Sequence, residues 1–155
     1  MDFVRFRGGV VQKINVVCVG KIKEEFYRSA VEEYLKRLTR FAKLEVREIA
    51  EGKNLAEEAV SLLKACKGAV FALCIEGKKY SSEGLAAEVK KLCDCGKEIT
   101  FIIGSSCGLD DSVKQAADYK ISFSDMTFPH QLMRVILLEQ IYRAFMINSG
   151  SEYHK

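Results

Sequence analysis

Continuous apolar runs that alternate with amphipathic stretches are the feature that most constrains how this chain can fold. Three of these runs are nearly free of polar residues, namely Ile14–Val19, Ala69–Ile75 and Ile99–Ile103. Such runs predict strands that are buried on both faces, as in a parallel sheet, and a glycine closes each of them. The amphipathic stretches between the runs predict crossover helices. We therefore expect an α/β fold with a mainly parallel sheet and helices on both of its faces.

The remaining elements follow from the same patterns. Charges opposite an apolar face predict a helix over Lys23–Phe41, and short apolar segments predict strands at Leu44–Ile49 and Tyr119–Phe123. Pro129 begins a final helix with apolar residues on nearly every side, so we expect a helix buried all round, with one side covered by a partner subunit. The predicted helix caps are Asn54, Ser82 and Asp110.

Length and composition narrow the classes of protein further. A chain of 155 residues can form one domain with a core of its own. Residues 1–13 show no period, so we predict an extension followed by a single domain over residues 14–155. No run reaches the roughly 18 apolar residues of a transmembrane helix, and the N-terminus lacks the pattern of a signal peptide. A formal net charge of +3 neither proves nor excludes a nucleic-acid partner.

Six cysteines invite a disulfide interpretation, but the absence of an export signal favours free thiols. Cys18 and Cys74 lie inside apolar runs, where a thiol acts as a small hydrophobic side chain. Cys93 and Cys95 form a C-x-C pair without the two-residue gap, second pair or nearby histidine that is typical of zinc sites. We therefore predict no bound metal and a reducing, cytoplasmic compartment.

The loops that leave the predicted strands are the first functional signal. In parallel α/β sheets, ligands bind beyond the carboxyl ends of the strands. This rule brings together Gly77, Gly104–Gly108 and Ser124–Phe128, which follow three different strands. Glycines at such a place either turn the chain or let backbone approach a ligand closely.

One of these loops also matches a hydrolase motif. Gly104–Gly108 fits G-x-S-x-G, the nucleophile elbow, with Ser106 at its centre. Asp125 and either His130 or His154 follow in the chain order of a Ser–Asp–His triad. A small serine hydrolase is therefore an alternative, although the chain offers fewer strands than that fold usually needs and no separate oxyanion loop.

Several polar residues carry two interpretations from the sequence alone. His130 either packs the first turn of the last helix or lines a pocket. Arg134 and Arg143 each need a carboxylate, an RNA phosphate or solvent, because a buried unpaired charge is costly. Composition predicts that Tyr153–Lys155 is a solvated tail. The acidic doublets are predicted on solvent faces of helices, and none resembles a general acid–base pair; they are Glu24–Glu25, Glu32–Glu33 and Glu57–Glu58.

Five segments, in order along the chain, closely resemble one protein family. They are Phe71–Lys78, Gly104–Leu109, Ser122–His130, Arg134–Ala144 and Tyr153–Lys155. The opening Ile14–Lys21 resembles the start of the same family. The family is that of the ribosomal large-subunit pseudouridine N3-methyltransferases, small members of the SPOUT or α/β-knot class. The resemblance covers residues 14–155, and an ordered set of motifs is more specific than a single glycine pattern.

The resemblance implies properties that hydrophobic periodicity does not reveal. It implies a deep trefoil knot in the C-terminal part, S-adenosylmethionine bound in the knot loops, and a homodimer with each site at the interface. The implied substrate is N3 of a pseudouridine in the decoding-region stem-loop of 23S rRNA, methylated on the assembled ribosome. It implies neither DNA nor a membrane as a partner.

The resemblance also assigns site residues. It implies that the tail reaches the partner's site, where His154, Tyr153 and Arg143 are candidates for orienting the base or taking its proton. The family usually has a second glycine after Gly104, whereas this chain has Ser105, whose side chain either narrows the pocket or points to solvent. The implied cofactor-binding residues are Leu73, Gly104, Phe123, Ser124, Asp125, Met126, Thr127 and Phe128.

Two alternatives stay beside the methyltransferase interpretation. One is the Ser106 hydrolase described above. The other is a ribosome-associated module without chemistry, which predicts ribosome binding and no methyl transfer.

Overall fold

The computed structural model of the protein describes residues 11–155, so most of the expected N-terminal extension lies outside it. Within the described residues, strands and helices alternate strictly. The strands are β1 (Lys13–Val19), β2 (Lys43–Ile49), β3 (Ala69–Lys79), β4 (Ile99–Ile103) and β5 (Tyr119–Ser122). The helices are α1 (Glu25–Leu38), α2 (Leu55–Ala65), α3 (Ser82–Asp94), α4 (Asp111–Ala116) and α5 (His130–Asn148).

The strands form one sheet in the order β2-β1-β4-β3-β5, and every neighbouring pair is parallel. This arrangement confirms the predicted α/β class. Helices α1, α3 and α5 pack on one face, and α2 and α4 pack on the other. Both faces of the central strands are therefore covered, which is why β4 is buried at every position and apolar at all but Thr100, whose hydroxyl is hydrogen-bonded to the Lys67 backbone.

Alternate residues of β1 show how the two cores are built. Val16 and Cys18 join the larger core beneath α1, α3 and α5, whereas Val17 and Val19 join the smaller core beneath α2 and α4. Successive side chains of a strand point to opposite faces, so a continuous apolar run serves both. Gln12, just before β1, is also buried and donates to the Lys97 carbonyl at 2.8 Å.

Strand β3 leaves and rejoins its neighbour β5. Leu73 and Lys78 both pair with Ile121, so residues 74–77 detour from the ladder. The prediction that β3 closes at Gly77 is wrong, because the strand resumes and continues to Lys79. Gly77 marks a close approach instead: a Cβ there would lie 2.6 Å from the carbonyl carbon of Ile121.

Two of the three predicted caps are confirmed. Asn54 accepts from the Glu57 N–H, and Asp110 accepts from the Ser112 N–H, each at 2.9 Å. The Ser82 cap is wrong by one residue, because Ser81 Oγ accepts from the Gly84 N–H at 3.0 Å. Ser82 is the first helical residue of α3 and donates to Gln140 instead.

Helix α5 is buried along one face and half-buried elsewhere within this chain. Pro129 occupies its N-cap rather than its first turn. Arg134 is 1% exposed and pairs with a carboxylate, one of its predicted partners: its guanidinium donates to Glu48 at 3.0 Å, while its buried Nε has no hydrogen-bond partner within the described chain. It also donates to the carbonyls of Val19 and Gly20 at 3.0 and 2.7 Å. Among residues 11–155, no helix has both the length and the apolar composition needed to cross a bilayer.

Candidate functional site

The carboxyl ends of β3, β4 and β5 surround a cavity of about 430 Å³. Its lining comes from three segments, residues 73–76, 103–109 and 121–128 except Asp125, with Lys114 added from α4 and His130 and Met133 from α5. Their meeting agrees with the rule that ligands of parallel sheets bind beyond this edge. Gly77, predicted to join them, supports the edge through its approach to β5 but does not line the cavity.

The cavity wall combines apolar side chains with closely approaching backbone. Gly104 is buried, and a Cβ at this position would lie 2.3 Å from the Gly108 carbonyl oxygen. Gly108 has a φ of +87°, in the left-handed region that favours glycine. A wall of this kind suits a flat, mostly apolar ligand that needs a few backbone partners. Its apolar members include Leu73, Ile103, Leu109, Ile121, Phe128 and Met133.

Ser105 begins the tight turn that follows β4. The Gly108 N–H donates to the Ser105 carbonyl at 2.9 Å, which closes the turn. The Ser105 hydroxyl donates to a carboxylate oxygen of Glu58, on α2, at 3.2 Å. Since no non-glycine residue of the described chain has a positive φ, a serine fits this backbone without strain. The Ser105 side chain was predicted either to narrow the pocket or to point to solvent. Its hydroxyl is instead held by Glu58, a contact that neither prediction includes.

Glu58 corrects the prediction that all the acidic doublets face solvent. It is only 6% exposed, whereas the other doublet residues are exposed. The spacing explains this burial: Glu58 lies three residues after Leu55 and four before Leu62, on the apolar stripe of α2. The sequence shows this stripe, but acidic side chains usually face solvent, and Glu58 was therefore predicted to be exposed.

Two ion pairs brace the rim of the cavity. Lys114 of α4 donates to Glu76 in the β3 detour, and Lys79 lies 2.5 Å from Asp125. The hydrogen bond from Lys114 lowers the pKa of the Glu76 carboxyl, and that same bond raises the pKa of Lys114. The first pair joins α4 to the β3 detour, and the second joins the end of β3 to the segment after β5. No pattern in the sequence predicts the role of either lysine.

The structure gathers most of the predicted cofactor-binding residues. Asp125 is the exception, since it pairs with Lys79 at the rim and does not line the cavity. His130 follows the second of its two interpretations, because it lines this cavity. Cofactor binding by the gathered set remains a prediction. The residues that line the cavity are Leu73, Gly104, Phe123, Ser124, Met126, Thr127 and Phe128.

The three predicted catalytic residues meet at a different place, which we call the tail cluster: Arg143, Tyr153 and His154 together with Glu139 and Glu83. Arg143 donates to Glu139 at 2.7 Å and to His154 Nδ1 at 3.1 Å. His154 Nε2 lies 2.7 Å from Glu83, and the Tyr153 hydroxyl donates to Glu139 at 3.1 Å. None of the five lines the cavity within this chain.

The tail cluster corrects the composition-based prediction of a freely solvated tail. Tyr153 is 38% exposed and His154 is partly buried, because both fold back onto α3 and α5. The Tyr153 ring packs edge-on against Tyr142 at 5.1 Å and under the Arg143 guanidinium at 4.9 Å. Such aromatic and cation–π contacts favour an ordered terminus.

A Ser–Asp–His triad is not assembled around Ser106. His130 lines the same cavity as Ser106, but within residues 11–155 no hydrogen bond joins it to Ser106 or to Asp125. Asp125 is engaged by Lys79, and His154 is engaged by Glu83 and Arg143 in the tail cluster. Ser106 itself is exposed on the turn after Gly104. The geometry therefore gives the G-x-S-x-G match no support beyond a turn.

The cysteines remain free thiols throughout the described chain. Burial raises the pKa of Cys18 and of Cys93 to about 11 in each case. Residues 11–155 contain no group of three or more His, Cys, Asp or Glu side chains able to hold a metal ion. The site combines backbone, apolar side chains, hydroxyl groups such as those of Ser124 and Thr127, and the imidazole of His130.

Comparisons with known proteins agree on one kind of enzyme. The family model described as "Predicted SPOUT methyltransferase" matches residues 12–154. A protein from Bifidobacterium adolescentis named ribosomal RNA large subunit methyltransferase H is 49% identical over 158 residues, covering 92% of this chain and 99% of its own length. Its namesake from Lactobacillus acidophilus is 46% identical over 157 residues, with the same coverage.

Solved structures share the fold at low identity. A probable methylase family protein from Haemophilus influenzae superposes with a TM-score of 0.59 at 10% identity, covering 93% of this chain and 71% of its own. The SpoU methyltransferase AviRb from Streptomyces viridochromogenes, solved with its cofactor AdoMet, gives 0.50 at 10% identity, covering 91% and 62%. At such identities the likeness concerns the fold alone.

Proposed function

We propose, because this chain belongs to the SPOUT methyltransferase family, that it is an rRNA methyltransferase that uses S-adenosylmethionine. Over nearly its whole length the chain resembles the ribosomal RNA large subunit methyltransferases H. The specific reaction that we propose is methylation of N3 of a pseudouridine in the decoding-region stem-loop of 23S rRNA, on the assembled ribosome. The observation that carries the proposal is the cavity at the carboxyl ends of β3, β4 and β5.

The residues of the cavity fit an adenosine group. Gly104 has no room for a side chain, because a Cβ would lie 2.3 Å from the Gly108 carbonyl oxygen, so the turn packs backbone against backbone at the cavity wall. Backbone N–H and C=O groups of this wall are the proposed partners for the edge of the adenine base. Leu73, Ile121 and Phe128 supply apolar surface for the ring faces. A volume of about 430 Å³ falls within the range of small-molecule sites.

S-adenosylmethionine supplies, when bound, a methyl group activated by a sulfonium charge. The protein then has to hold the pseudouridine with N3 in line with that methyl, so that the N–C bond forms as the C–S bond breaks. It also has to accept the N3 proton. Positioning alone can contribute roughly 7–11 kcal/mol to such a reaction, so the rigid lining from three parallel strands is well suited to the task.

Among the three predicted catalytic residues of the tail cluster, one is suited to accept that proton. Arg143 stays charged and donates only. Burial, together with Glu139, raises the pKa of the Tyr153 hydroxyl, which keeps it protonated as a donor. His154 is left as the candidate base. We propose a homodimer in which this cluster faces the partner's cavity, because none of its residues lines the cavity of its own chain.

Two further parts of the proposal follow from the family. We propose that the β3 detour and the segment after β5 belong to a deep trefoil knot, whose packed loops form the cofactor cavity. We also propose that the weak net charge of +3 reflects a substrate recognised by the shape of the ribosome rather than by affinity for free RNA.

The test begins with calorimetric titration of the purified protein with S-adenosylmethionine and, as a control, ATP. Saturable binding of the methyl donor alone, followed by transfer of labelled methyl to ribosomes that lack the modification, supports the proposal. Mapping the label to a pseudouridine N3 tests the specific reaction. Ribosome binding without methyl transfer would instead favour the non-catalytic module.

A further inference from the structure

The carboxylate of Glu58 is buried, and the proposed reaction does not use it. It lies on the opposite sheet face from α5 and the tail cluster, so it cannot take part in proton transfer there. Its two oxygens have different partners. One accepts from the Gly52 N–H at 3.3 Å, and the other accepts from the Ser105 hydroxyl at 3.2 Å.

These two hydrogen bonds connect three segments. Gly52 belongs to the loop before α2, Glu58 belongs to α2 itself, and Ser105 opens the turn that lines the cavity. Ser105 Oγ also accepts from the Cys107 N–H at 3.4 Å, inside the same turn. The carboxylate therefore reaches the backbone of the turn through one hydroxyl.

We infer that Glu58 is a positioning residue for the cofactor turn, acting through Ser105. The inference rests on the proposed function only in naming S-adenosylmethionine as the ligand of the cavity. At position 105, where the resemblance implies a second glycine, this chain has a serine. Its hydroxyl is held by Glu58 of α2. This hydrogen bond restricts the turn in the free protein, so less order has to be gained when the ligand binds.

Glu58→Gln is the informative variant because it preserves the size of the side chain and replaces one acceptor oxygen with an amide nitrogen that donates. A carboxylate accepts on both oxygens, whereas an amide accepts on its oxygen and donates from its nitrogen. In this variant the amide oxygen can still accept from the Gly52 N–H, but the amide nitrogen can only donate to Ser105, so a reversed, neutral hydrogen bond replaces the stronger one that the hydroxyl donates to a carboxylate. Ser105→Ala removes the hydroxyl and keeps the Cβ. Glu57→Gln is the matched control, since Glu57 is exposed and accepts from the Lys53 N–H at 2.8 Å without contacting the turn.

Two readouts report on the turn. The first is the Kd of S-adenosylmethionine, which we expect Glu58→Gln and Ser105→Ala each to raise about three- to tenfold. The second is the alkylation rate of Cys107, an exposed thiol within the turn, relative to that of Cys95, an exposed thiol beyond α3. We expect each variant to accelerate Cys107 about threefold or more and to leave Cys95 unchanged.

The double variant Glu58→Gln/Ser105→Ala decides the mechanism. If Glu58 acts through Ser105, adding Glu58→Gln to Ser105→Ala changes both readouts by less than about twofold, and Glu57→Gln matches the parent protein. Equal effects of Glu58→Gln in the presence and absence of the hydroxyl would overturn the inference. So would a Cys107 rate that neither single variant changes.

The cysteine readout keeps this inference separate from the proposed function. If the parent protein does not bind S-adenosylmethionine, the proposed function fails, and Cys107 alkylation still tests the coupling of Glu58 to the turn. If Glu58→Gln does not fold, Ser105→Ala alone is expected to accelerate Cys107, and an unchanged rate overturns the inference.

Discussion

Arg143 and His154 are joined by a contact of 3.1 Å between a guanidinium nitrogen and Nδ1 of the imidazole. A guanidinium can only donate, so Nδ1 must accept and the proton of a neutral His154 must lie on Nε2. That N–H then donates to Glu83 at 2.7 Å. Arg143 and Glu83 thus define the tautomer of His154. The lone pair on Nδ1 becomes available to a substrate only when the hydrogen bond from Arg143 breaks.

The first prediction concerns this pair. We expect His154→Ala to lower the single-turnover rate of methyl transfer to ribosomes by about 10²–10⁴-fold, the usual contribution of general acid–base catalysis. Calorimetry should show little change in the Kd of S-adenosylmethionine, because His154 is predicted to face the substrate base and is not among the predicted cofactor-binding residues. An unchanged single-turnover rate would show that the tail has no role in the chemistry.

A second prediction concerns Gly77, where β3 touches β5. Gly77→Ala places a methyl group 2.6 Å from the Ile121 carbonyl carbon, so we expect unfolding free energy to fall by about 1–3 kcal/mol. Weaker binding of S-adenosylmethionine should accompany this loss. Gly84→Ala serves as control, since this glycine lies in the first turn of α3 and a Cβ would meet the Ser81 side chain at 3.2 Å. Denaturant titration should find the control near neutral.

A third prediction concerns Arg134, the buried cation of α5. We expect Arg134→Met to reduce the free energy of unfolding by roughly 1.5–3 kcal/mol, because the carbonyls of Val19 and Gly20 lose their charged donor. Glu48→Gln should have a smaller effect, since the Glu48 side chain is 38% exposed and an amide oxygen can still accept. Equal losses in urea titrations of the two variants would contradict this account.

A fourth prediction concerns the order in which the cysteines react. Thiolates are the reactive form, and burial raises the pKa of Cys18 and Cys93 to about 11. At pH 8 only about a thousandth of each is therefore ionised. We expect iodoacetamide to label the exposed Cys95 and Cys107 first and the partly exposed Cys93 later, at a rate that rises with pH up to about pH 11, whereas Cys18, which has no exposed surface, reacts only when the chain opens. Peptide mass spectrometry after timed quenching measures each rate.

The sequence predicted the sheet well and the side-chain contacts poorly. Apolar runs such as Ile99–Ile103 predicted their strands because burial on both faces leaves no other pattern. Gly77 was predicted to end a strand, since local sequence cannot distinguish a stop from a close approach between two strands. Ser81 and Ser82 are adjacent and equally able to cap, and only the backbone conformation decides between them.

In the candidate site, too, the position was predicted better than the side-chain contacts. Residues of the cavity were predicted through a resemblance and through the rule for the carboxyl ends of strands, and most of them do meet. Lys114, Lys79 and Glu58 were missed because each owes its role to a partner distant in sequence. Glu58 and Ser105 are 47 residues apart, and nothing near either residue indicates the other.

The order of the strands has a consequence for how the site comes into being. During synthesis, the first segments that emerge can form β1, α1 and β2, but the central position beside β1 stays empty until β4 arrives. The cavity needs residues as late as Met133, and its tail cluster needs residues as late as His154. Ligand therefore cannot assist the early stages of folding, and a chain that ended directly after α5 would keep the whole cavity lining but lack Tyr153 and His154 of the tail cluster.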